Sequence, residues 1–533
     1  MALERFRYEG FIFLTGAVAL ALEVLSSRIM TPYFGVSLFI WSGILSITLA
    51  FLALGYYLGG RVAAGKSQQQ LLTLYLAGPA AASVAIGVAA LVYPPVFPLL
   101  LQVNLVLGSF IGGAILLALP LVALSAMNPL LVALRRETGD GADAGAGRVF
   151  FVSTVGSVAG VLITAFVFIP AMSNFRALLV LGAVMGGASF LLAIVAPQLA
   201  PRAKQRVLAV SALGVVLCVG LAAGREAYLT LITRLFAAEM ESDVAFALAA
   251  QYSSLYGTVK VVDAIDPKTG AQLTRLYLQD GLVQNFIAPD GTSLSLHTHA
   301  LEELALGFAP EAKDALVLGL AAGAVPVRFR NEGIHVTVVD INPASPAIAA
   351  RHFGFDPKGM TIRIEDARTY VRKCRNQFDV VIVDLFHGDG TPDYLMTREF
   401  FADAAACLRP TGMLVMNSFF AVADAPNQRV LATLAATFDT VIEFRAGDGG
   451  AFLVTTNGPL PEQVTFHPDH IPVSLRADFD DTVRAGRTIT AADIGGARPI
   501  TDDENVFSSL FARAEMELRK AWAQGLPPRL LVN

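Results

Sequence analysis

Seven apolar runs fill the first 225 residues, near positions 10–30, 40–62, 72–94, 105–126, 150–171, 176–197 and 206–224. Each is long enough to cross a bilayer as a helix, which needs roughly 20 mainly apolar residues. Inside hydrocarbon every backbone polar group must be satisfied within the segment, so such runs are helices. The expected architecture is therefore a multi-pass helical membrane domain over residues 1–225. The stretch 94–135 is too long for one span and leaves room for a re-entrant segment or an eighth helix. Composition agrees: 54% of residues are apolar and mean hydropathy is +0.58. Only 16% are charged, against roughly 25% in soluble domains, and most of that charge follows residue 225.

A net charge of −5 and a pI near 5.9 exclude nucleic acid as an expected partner. The three cysteines, Cys218, Cys374 and Cys407, are far apart and form no CxxC, so reduced thiols are expected. Arg5 and Arg7 precede the first apolar run, and no small-residue cleavage site closes it. It reads as a first membrane helix rather than a removed signal.

Basic residues mark the cytoplasmic side of a membrane domain. They cluster before the first run (Arg5, Arg7), after the second (Arg61, Lys66), after the fourth (Arg135, Arg136, Arg148) and after the sixth (Arg202, Lys204, Arg206). This places the N-terminus in the cytoplasm. Seven spans would then place the C-terminal half outside. Glu23 lies within the first run and Arg28 near its end, as an interhelical polar contact or a functional group. The glycines of Gly55-Tyr56-Tyr57-Leu58-Gly59-Gly60 and Gly156-Ser157-Val158-Ala159-Gly160 point to close helix packing.

The pattern changes after a linker helix expected at 226–250. Tyr256–Asp263 and Leu273–Gln279 alternate as strands, and Asp280-Gly281 before Leu282-Val283-Gln284 is a hairpin signal. These define a β-rich lobe over 251–310. Residues 311–533 follow as an α/β lobe. Its strands are expected at 315–318, 335–339, 361–365, 379–383, 412–416, 440–444 and 451–455, and helical stretches separate them. Near-continuous apolar strands of this kind build a parallel sheet covered on both faces, and ligands bind beyond its carboxyl edge.

Four of the strand ends carry residues suited to that edge. Gly319-Leu320-Ala321-Ala322-Gly323 lets a backbone approach a ligand at a helix N-terminus. Asp340 follows Gly323 by 17 residues, near the spacing at which an acid meets ribose hydroxyls. Asp366 can accept a hydrogen bond from an adenine amine, although either aspartate also suits a helix cap or turn. Asp384 closes the fourth strand over the reactive end of such a nucleotide, where a carboxylate can take a proton from an amine or hold an ammonium. His387 and Asp389 lie in the glycine-rich loop beyond it. His297 and His299 are two residues apart on an expected loop with no third ligand, so no metal is expected.

These residues resemble the spermidine synthase family, the polyamine aminopropyltransferases, and within it the membrane-fused branch, over about 251–455. The resemblance is carried by Ser253-Ser254-Leu255-Tyr256-Gly257, Leu278–Gln284, Val317-Leu318-Gly319, Val338-Val339-Asp340, Glu365-Asp366-Ala367-Arg368, Phe378–Asp384, Pro392–Phe400 and Ile500–Asp503. It implies a β-hairpin lobe and a Rossmann-like, class I methyltransferase-type lobe. It also implies a donor of the S-adenosylmethionine type, normally decarboxylated, and an amine acceptor, with methylthioadenosine released. Carried over, Asp384 is the base, and Gln284, Gly319, Gly323, Asp340, Asp366 and Ala367 are donor contacts. Tyr256, His297, His299 and Asp389 fall at the acceptor side. A homodimer is part of the same expectation.

The sequence also departs from the family. Where its glycine loop reads G-G-G-D-G, with an aspartate for the donor's ammonium, this chain has Ala322. The Tyr-(His/Gln)-Glu segment falls on His297-Thr298-His299. The adenosine half of the site is kept and the polyamine half is altered. A methyltransferase acting on a membrane-associated substrate, a donor-fragmenting enzyme and a nucleoside sensor coupled to the membrane helices all remain open alternatives. Because S-adenosylmethionine is a cytosolic metabolite, the expectation leans towards a catalytic domain on the cytoplasmic face.

Overall fold

In the computed structural model, the structure describes residues 2–36, 38–137, 145–237, 244–386, 390–418, 425–447 and 449–533. The chain divides into two compact units. The first comprises Met1–Glu241, Ser253–Gly257 and Arg519–Asn533; the second comprises Ser242–Tyr252 and Thr258–Leu518.

The first unit contains, among the described residues, seven helices long and apolar enough to cross a membrane: Arg7–Phe34, Ile40–Ala63, Gln68–Gln102, Leu105–Arg136, Ala146–Ala171, Asn174–Val195 and Pro201–Ala223. The over-long stretch 94–135 holds no eighth span. It is shared between the third helix and the fourth, which separate at Asn104, whose side chain caps the next helix by accepting from Leu107 N (3.0 Å).

The glycine patterns act as packing surfaces. A Cβ on Gly156 would collide with the Phe13 carbonyl, one on Gly160 with the Ala17 carbonyl, and one on Gly16 with the Ser153 carbonyl. The first and fifth of these helices therefore meet backbone to backbone, and Ser157 Oγ donates to Gly16 O across the contact (3.1 Å). At the end of this pair Glu9 takes both Arg135 and Arg148 (2.9 Å to the latter). Glu23 and Arg28 form no ion pair among the described residues.

The second unit opens with a four-stranded sheet of β1 (Ala245–Ser254), β2 (Gly257–Ile265), β3 (Gln272–Gln279) and β4 (Leu282–Ile287) in sequential order. Of the linker helix expected over 226–250, the described part is helix over Arg225–Ala237, and Ala245–Ser254 is strand instead. The run Ala245-Phe246-Ala247-Leu248-Ala249-Ala250 favours helix by propensity, but pairing with β2 overrides it. Asp280 (φ 49°) and Gly281 (φ 83°) both take left-handed backbone, as a type I′ hairpin turn requires.

Helix α1 (Leu296–Phe308) leads into the larger sheet: β5 (Asp314–Leu318), α2 (Ala324–Asn331), β6 (His335–Asp340), α3 (Ser345–Phe353), β7 (Thr361–Ile364), α4 (Ala367–Lys373), β8 (Phe378–Val383), α5 (Arg398–Cys407), β9 (Leu408–Ser418), α6 (Ala425–Ala435), β10 (Thr440–Arg445), β11 (Ala451–Thr456) and β12 (Arg487–Thr488). The order across the sheet is β12-β10-β11-β9-β8-β5-β6-β7. Strands β5 to β9 run parallel, whereas β11 is antiparallel to both its neighbours and β12 to β10. The wholly parallel sheet expected from the sequence is thus mixed at one edge. Successive residues feed opposite cores: Leu316, Leu318, Val381 and Val383 pack towards α4, α5 and α6, and Ala315, Val317, Val380 and Ile382 towards α1 and α2. Counting β5 as first and reading from β7 to β9, the parallel part reads 3-2-1-4-5, a doubly wound, Rossmann-like, methyltransferase-type order that reverses direction between β5 and β8.

The backbone contact in the first unit has a direct test. Gly160→Leu should abolish the monodisperse detergent-solubilised species in size-exclusion chromatography. Gly187→Leu, where an added Cβ meets nothing within 4 Å, should leave it intact. Equal behaviour of the two variants would show that the close approach does not hold these helices.

Candidate active site

Side chains converge where β5, β6, β7 and β8 end. The turn after β5 is tightly constrained. Gly319 has φ 98°, and a Cβ there would strike the Asp384 carbonyl. Ala321 is held at φ 43°, an uncommon conformation for a residue with a Cβ. Gly323 (φ 83°) caps α2 and lies against the Phe355 ring. Two side chains fix the turn from outside it. Leu320 N donates to Asp340 Oδ2 (3.1 Å), and Ala322 N donates to Asn285 Oδ1 (3.2 Å).

Asp340, at the end of β6, also accepts from Asn342 N (2.8 Å) and Ser345 Oγ (3.1 Å), both on Oδ1. Burial pushes its carboxyl above the ordinary range against the pull of these donors. A carboxylate oxygen has two acceptor positions, so Oδ2 retains one beside the Leu320 bond.

Asp366 is the N-cap of α4: Oδ1 accepts from Thr369 N (2.8 Å) and Thr369 Oγ1 (2.9 Å), and Oδ2 accepts from Tyr394 OH (2.8 Å). Ala367 is the buried first residue of that helix. Burial, then the bond to Asp366, raises the Tyr394 phenol. The neighbouring Arg368 pairs with Asp502 and donates to Tyr394 O (2.8 Å), while Asp502 N donates to Glu399 Oε2 (3.0 Å). Three separate sequence motifs, Glu365–Arg368, Pro392–Phe400 and Ile500–Asp503, are thereby parts of one hydrogen-bonded corner.

Asp384 follows β8. Its N–H donates to Leu318 O (3.1 Å), and its Oδ1 accepts from Asn417 Nδ2 on β9 (3.0 Å). Its side chain is half-buried. Gln284 on β4 is half-buried beside Asn285, whose amide nitrogen reaches His297 Nε2 (3.2 Å) and Thr298 Oγ1 (3.4 Å). The hairpin sheet, the start of α1 and the glycine turn therefore meet through Asn285.

The structure places the acceptor-side candidates in different surroundings. His297 joins the Asn285 cluster. His299 is on α1 rather than on a loop and is fully buried, bonded to Glu302 and to Ser293 O (2.8 Å) instead of to that cluster. Tyr256 lies in the hairpin tip assigned to the first unit, where its N–H bonds Ser254 Oγ (3.1 Å). His387 and Asp389 lie outside the described residues. Asn285, Asn417, Tyr394 and Arg368 were not singled out from sequence. A single asparagine in a strand carries no pattern, whereas Arg368 was visible as part of its motif.

The strand order and the occupied carboxyl edge define a Rossmann-like unit of the methyltransferase type. Residues 294–427 match the spermine/spermidine synthase domain, so the C-terminal part of the chain carries a domain of that family. The polyamine aminopropyltransferase of Vibrio vulnificus is 34% identical over 118 residues, 21% of this chain and 40% of that protein. The N-terminal histidine N-methyltransferase of Emericella nidulans is 26% identical over 226 residues, 38% of this chain and 39% of the relative. The chain thus spans about two fifths of the length of these curated relatives. A crystal structure of a probable spermidine synthase from Corynebacterium glutamicum aligns with 48% of this chain and 97% of its own, at 19% identity and a TM-score of 0.39.

Asp340→Asn tests the clamp on the glycine turn. One face of the amide can no longer accept, so a buried donor loses its partner, costing about 1–3 kcal/mol. Thermal unfolding of the solubilised chain should show a lower midpoint. An unchanged midpoint would mean that Asp340 does not hold the turn.

Proposed function

We propose that this chain is a membrane-embedded transferase that uses a sulfonium donor of the S-adenosylmethionine type, in decarboxylated form, and transfers its aminopropyl group to an amine. The observation that carries the reading is the arrangement along one sheet edge: the Gly319–Gly323 turn, Asp340 and Asp366 on β5 to β7, and Asp384 on β8, across the point where strand order reverses. The Spermine/spermidine synthase match over 294–427 contains all of these residues.

In this reading the free acceptor position on Asp340 Oδ2 takes a ribose hydroxyl, and Asp366 with Ala367 borders the adenine. Gln284 and the glycine turn contact the rest of the donor. The amine lone pair attacks the aminopropyl carbon bonded to sulfur. That C–S bond breaks, its electrons stay on sulfur, and methylthioadenosine leaves as a neutral thioether. Sulfur is already an activated leaving group, so the protein's task is to orient the amine and accept its proton. Asp384 performs both, held in place by Asn417 Nδ2.

A methyltransferase is the second reading, and Ala322 favours it. That buried alanine stands where the family's aspartate holds the donor's ammonium, and its N–H is committed to Asn285. The similarity to a histidine N-methyltransferase points the same way.

Embedding in a lipid bilayer is inferred from the outer surface of the first unit. Leu49, Leu119, Phe151, Leu191 and Val216 are 66%, 71%, 67%, 64% and 68% exposed, on helices of spanning length. An apolar surface of this extent is unstable in water. Seven spans put the two chain ends on opposite faces, so a cytoplasmic N-terminus and a cytoplasmic catalytic unit exclude each other. The supply of the donor places the catalytic unit in the cytoplasm. A reporter fused at Asn533 that reads as external would refute that placement.

Asp384→Asn keeps the size and the bond geometry of the side chain but not its basicity. Turnover should fall by about 10²–10⁴-fold while methylthioadenosine affinity, measured by calorimetry, stays within a few-fold. Unchanged turnover would remove Asp384 from the chemistry. If no turnover is found in the wild type but binding is tight, a sensor is the better account.

A further inference from the structure

A second polar cluster lies in the same unit, outside the edge described above. Along α1, His299, Glu302 and Glu303 are spaced i, i+3 and i+4, so they share one face of the helix. That face points inward: the three residues are 3%, 3% and 1% exposed. Two adjacent buried carboxylates are costly unless compensating charge or strong donors meet them. The nearest guanidinium, Arg328 Nη2, is 3.8 Å from Glu303 Oε1 and also pairs with Glu332. It does not form a hydrogen bond to Glu303.

The remaining neighbour arrives from far along the chain. The short turn Pro468–His470 brings His470 Nε2 to 3.5 Å from Glu302 Oε2 and 3.7 Å from Glu303 Oε1. His299 Nδ1 is 3.3 Å from Glu302 Oε2. Both His470 Nε2 and Glu303 Oε1 are fully buried atoms with no hydrogen-bond partner, although they face each other.

We propose that His299, Glu302 and His470, with the Glu303 carboxylate beside them, bind a divalent transition-metal ion of the zinc class. Four ligand atoms bonded at about 2.0–2.2 Å in a tetrahedron lie about 3.3–3.5 Å apart. The separations of 3.3 and 3.5 Å from Glu302 Oε2 to the two rings match edges of that figure and are longer than the usual hydrogen bond, and Glu303 Oε1 lies 3.7 Å from His470 Nε2. The far sides of both rings are also arranged as in metal sites. His299 Nε2 lies 2.8 Å from Ser293 O, and His470 Nδ1 lies 3.0 Å from His467 O. Each imidazole thus presents its other nitrogen to the cluster, its tautomer fixed by a backbone carbonyl. Glu303 Oε2 accepts from His467 N (2.6 Å), which turns Oε1 inward. Two carboxylates and two neutral imidazoles around a dication sum to zero charge, which removes the penalty of burying the acids. Imidazole and carboxylate donors suit zinc, and cobalt(II) is its spectroscopic substitute. The ion would clasp the 464–470 segment to α1, the helix that also carries His297. The proposal does not depend on the reaction assigned above.

The test uses the untagged full chain, solubilised in detergent without chelator. Metal analysis should find about one equivalent of a zinc-class ion per chain. After chelator treatment, added cobalt(II) should give the intense visible bands of a tetrahedral site. His470→Ala should lose those bands while keeping its far-ultraviolet circular dichroism. His467→Ala should retain them, since only the backbone of His467 enters the cluster. Glu302→Gln gives an independent second loss. A chain that purifies without stoichiometric metal and shows neither cobalt bands nor a zinc-dependent rise in melting temperature would overturn the proposal. Weak octahedral bands indifferent to His470→Ala would do the same, leaving a buried proton-sharing network.

Discussion

Everything at the candidate active site depends on one backbone turn being held from both sides. The residues 319–323 sit between β5 and α2 with left-handed φ at Gly319, Ala321 and Gly323, a conformation easy for the two glycines and uncommon for Ala321. Asp340 takes the N–H of Leu320 and Asn285 takes the N–H of Ala322. One anchor belongs to the Rossmann-like sheet and the other to the hairpin sheet. The turn is therefore also the joint between the two sheets. A ligand seated against it would sense both, and loss of either anchor would release a strained loop.

The departures from the spermidine synthase pattern become intelligible in this setting. At position 322 an aspartate would place a charge beside the turn, whereas alanine is buried there to 3% exposure and leaves only its backbone in use. The two acids proposed to meet the adenosine are each already partly committed: Asp340 to the turn, Asp366 to capping α4 and to Tyr394. Such commitment fixes the position of a carboxylate at low entropic cost on binding. The acids on α1, Glu302 and Glu303, are buried and belong to a separate cluster.

Much of this was legible in the sequence because the relevant signals are local. The seven long apolar helices follow from run length, and the hairpin turn from Asp280-Gly281. Strands β5 to β9 show as apolar runs, and their ends as glycine and aspartate. What was not legible depends on partners distant in sequence. β1 looks helical because of its alanines and is a strand only because β2 pairs with it. Asn285 and Asn417 carry no motif, and their roles arise from what folds against them. The corner linking Arg368 to Asp502 joins residues 134 positions apart. Likewise His470 is brought to α1 by packing, so the two histidines near position 298 gave no reason to expect further ligands.

The most direct test of the account is the identity of the nucleoside that the purified chain releases. The protein would be offered S-adenosylmethionine or its decarboxylated form, with and without putrescine, and the products analysed by mass spectrometry. The account predicts methylthioadenosine from the decarboxylated donor, formed only when an amine is present. S-adenosylhomocysteine from the intact donor would contradict it and make the chain a methyltransferase. Methylthioadenosine formed without any amine would contradict it as well, since the donor would then be fragmented rather than transferred.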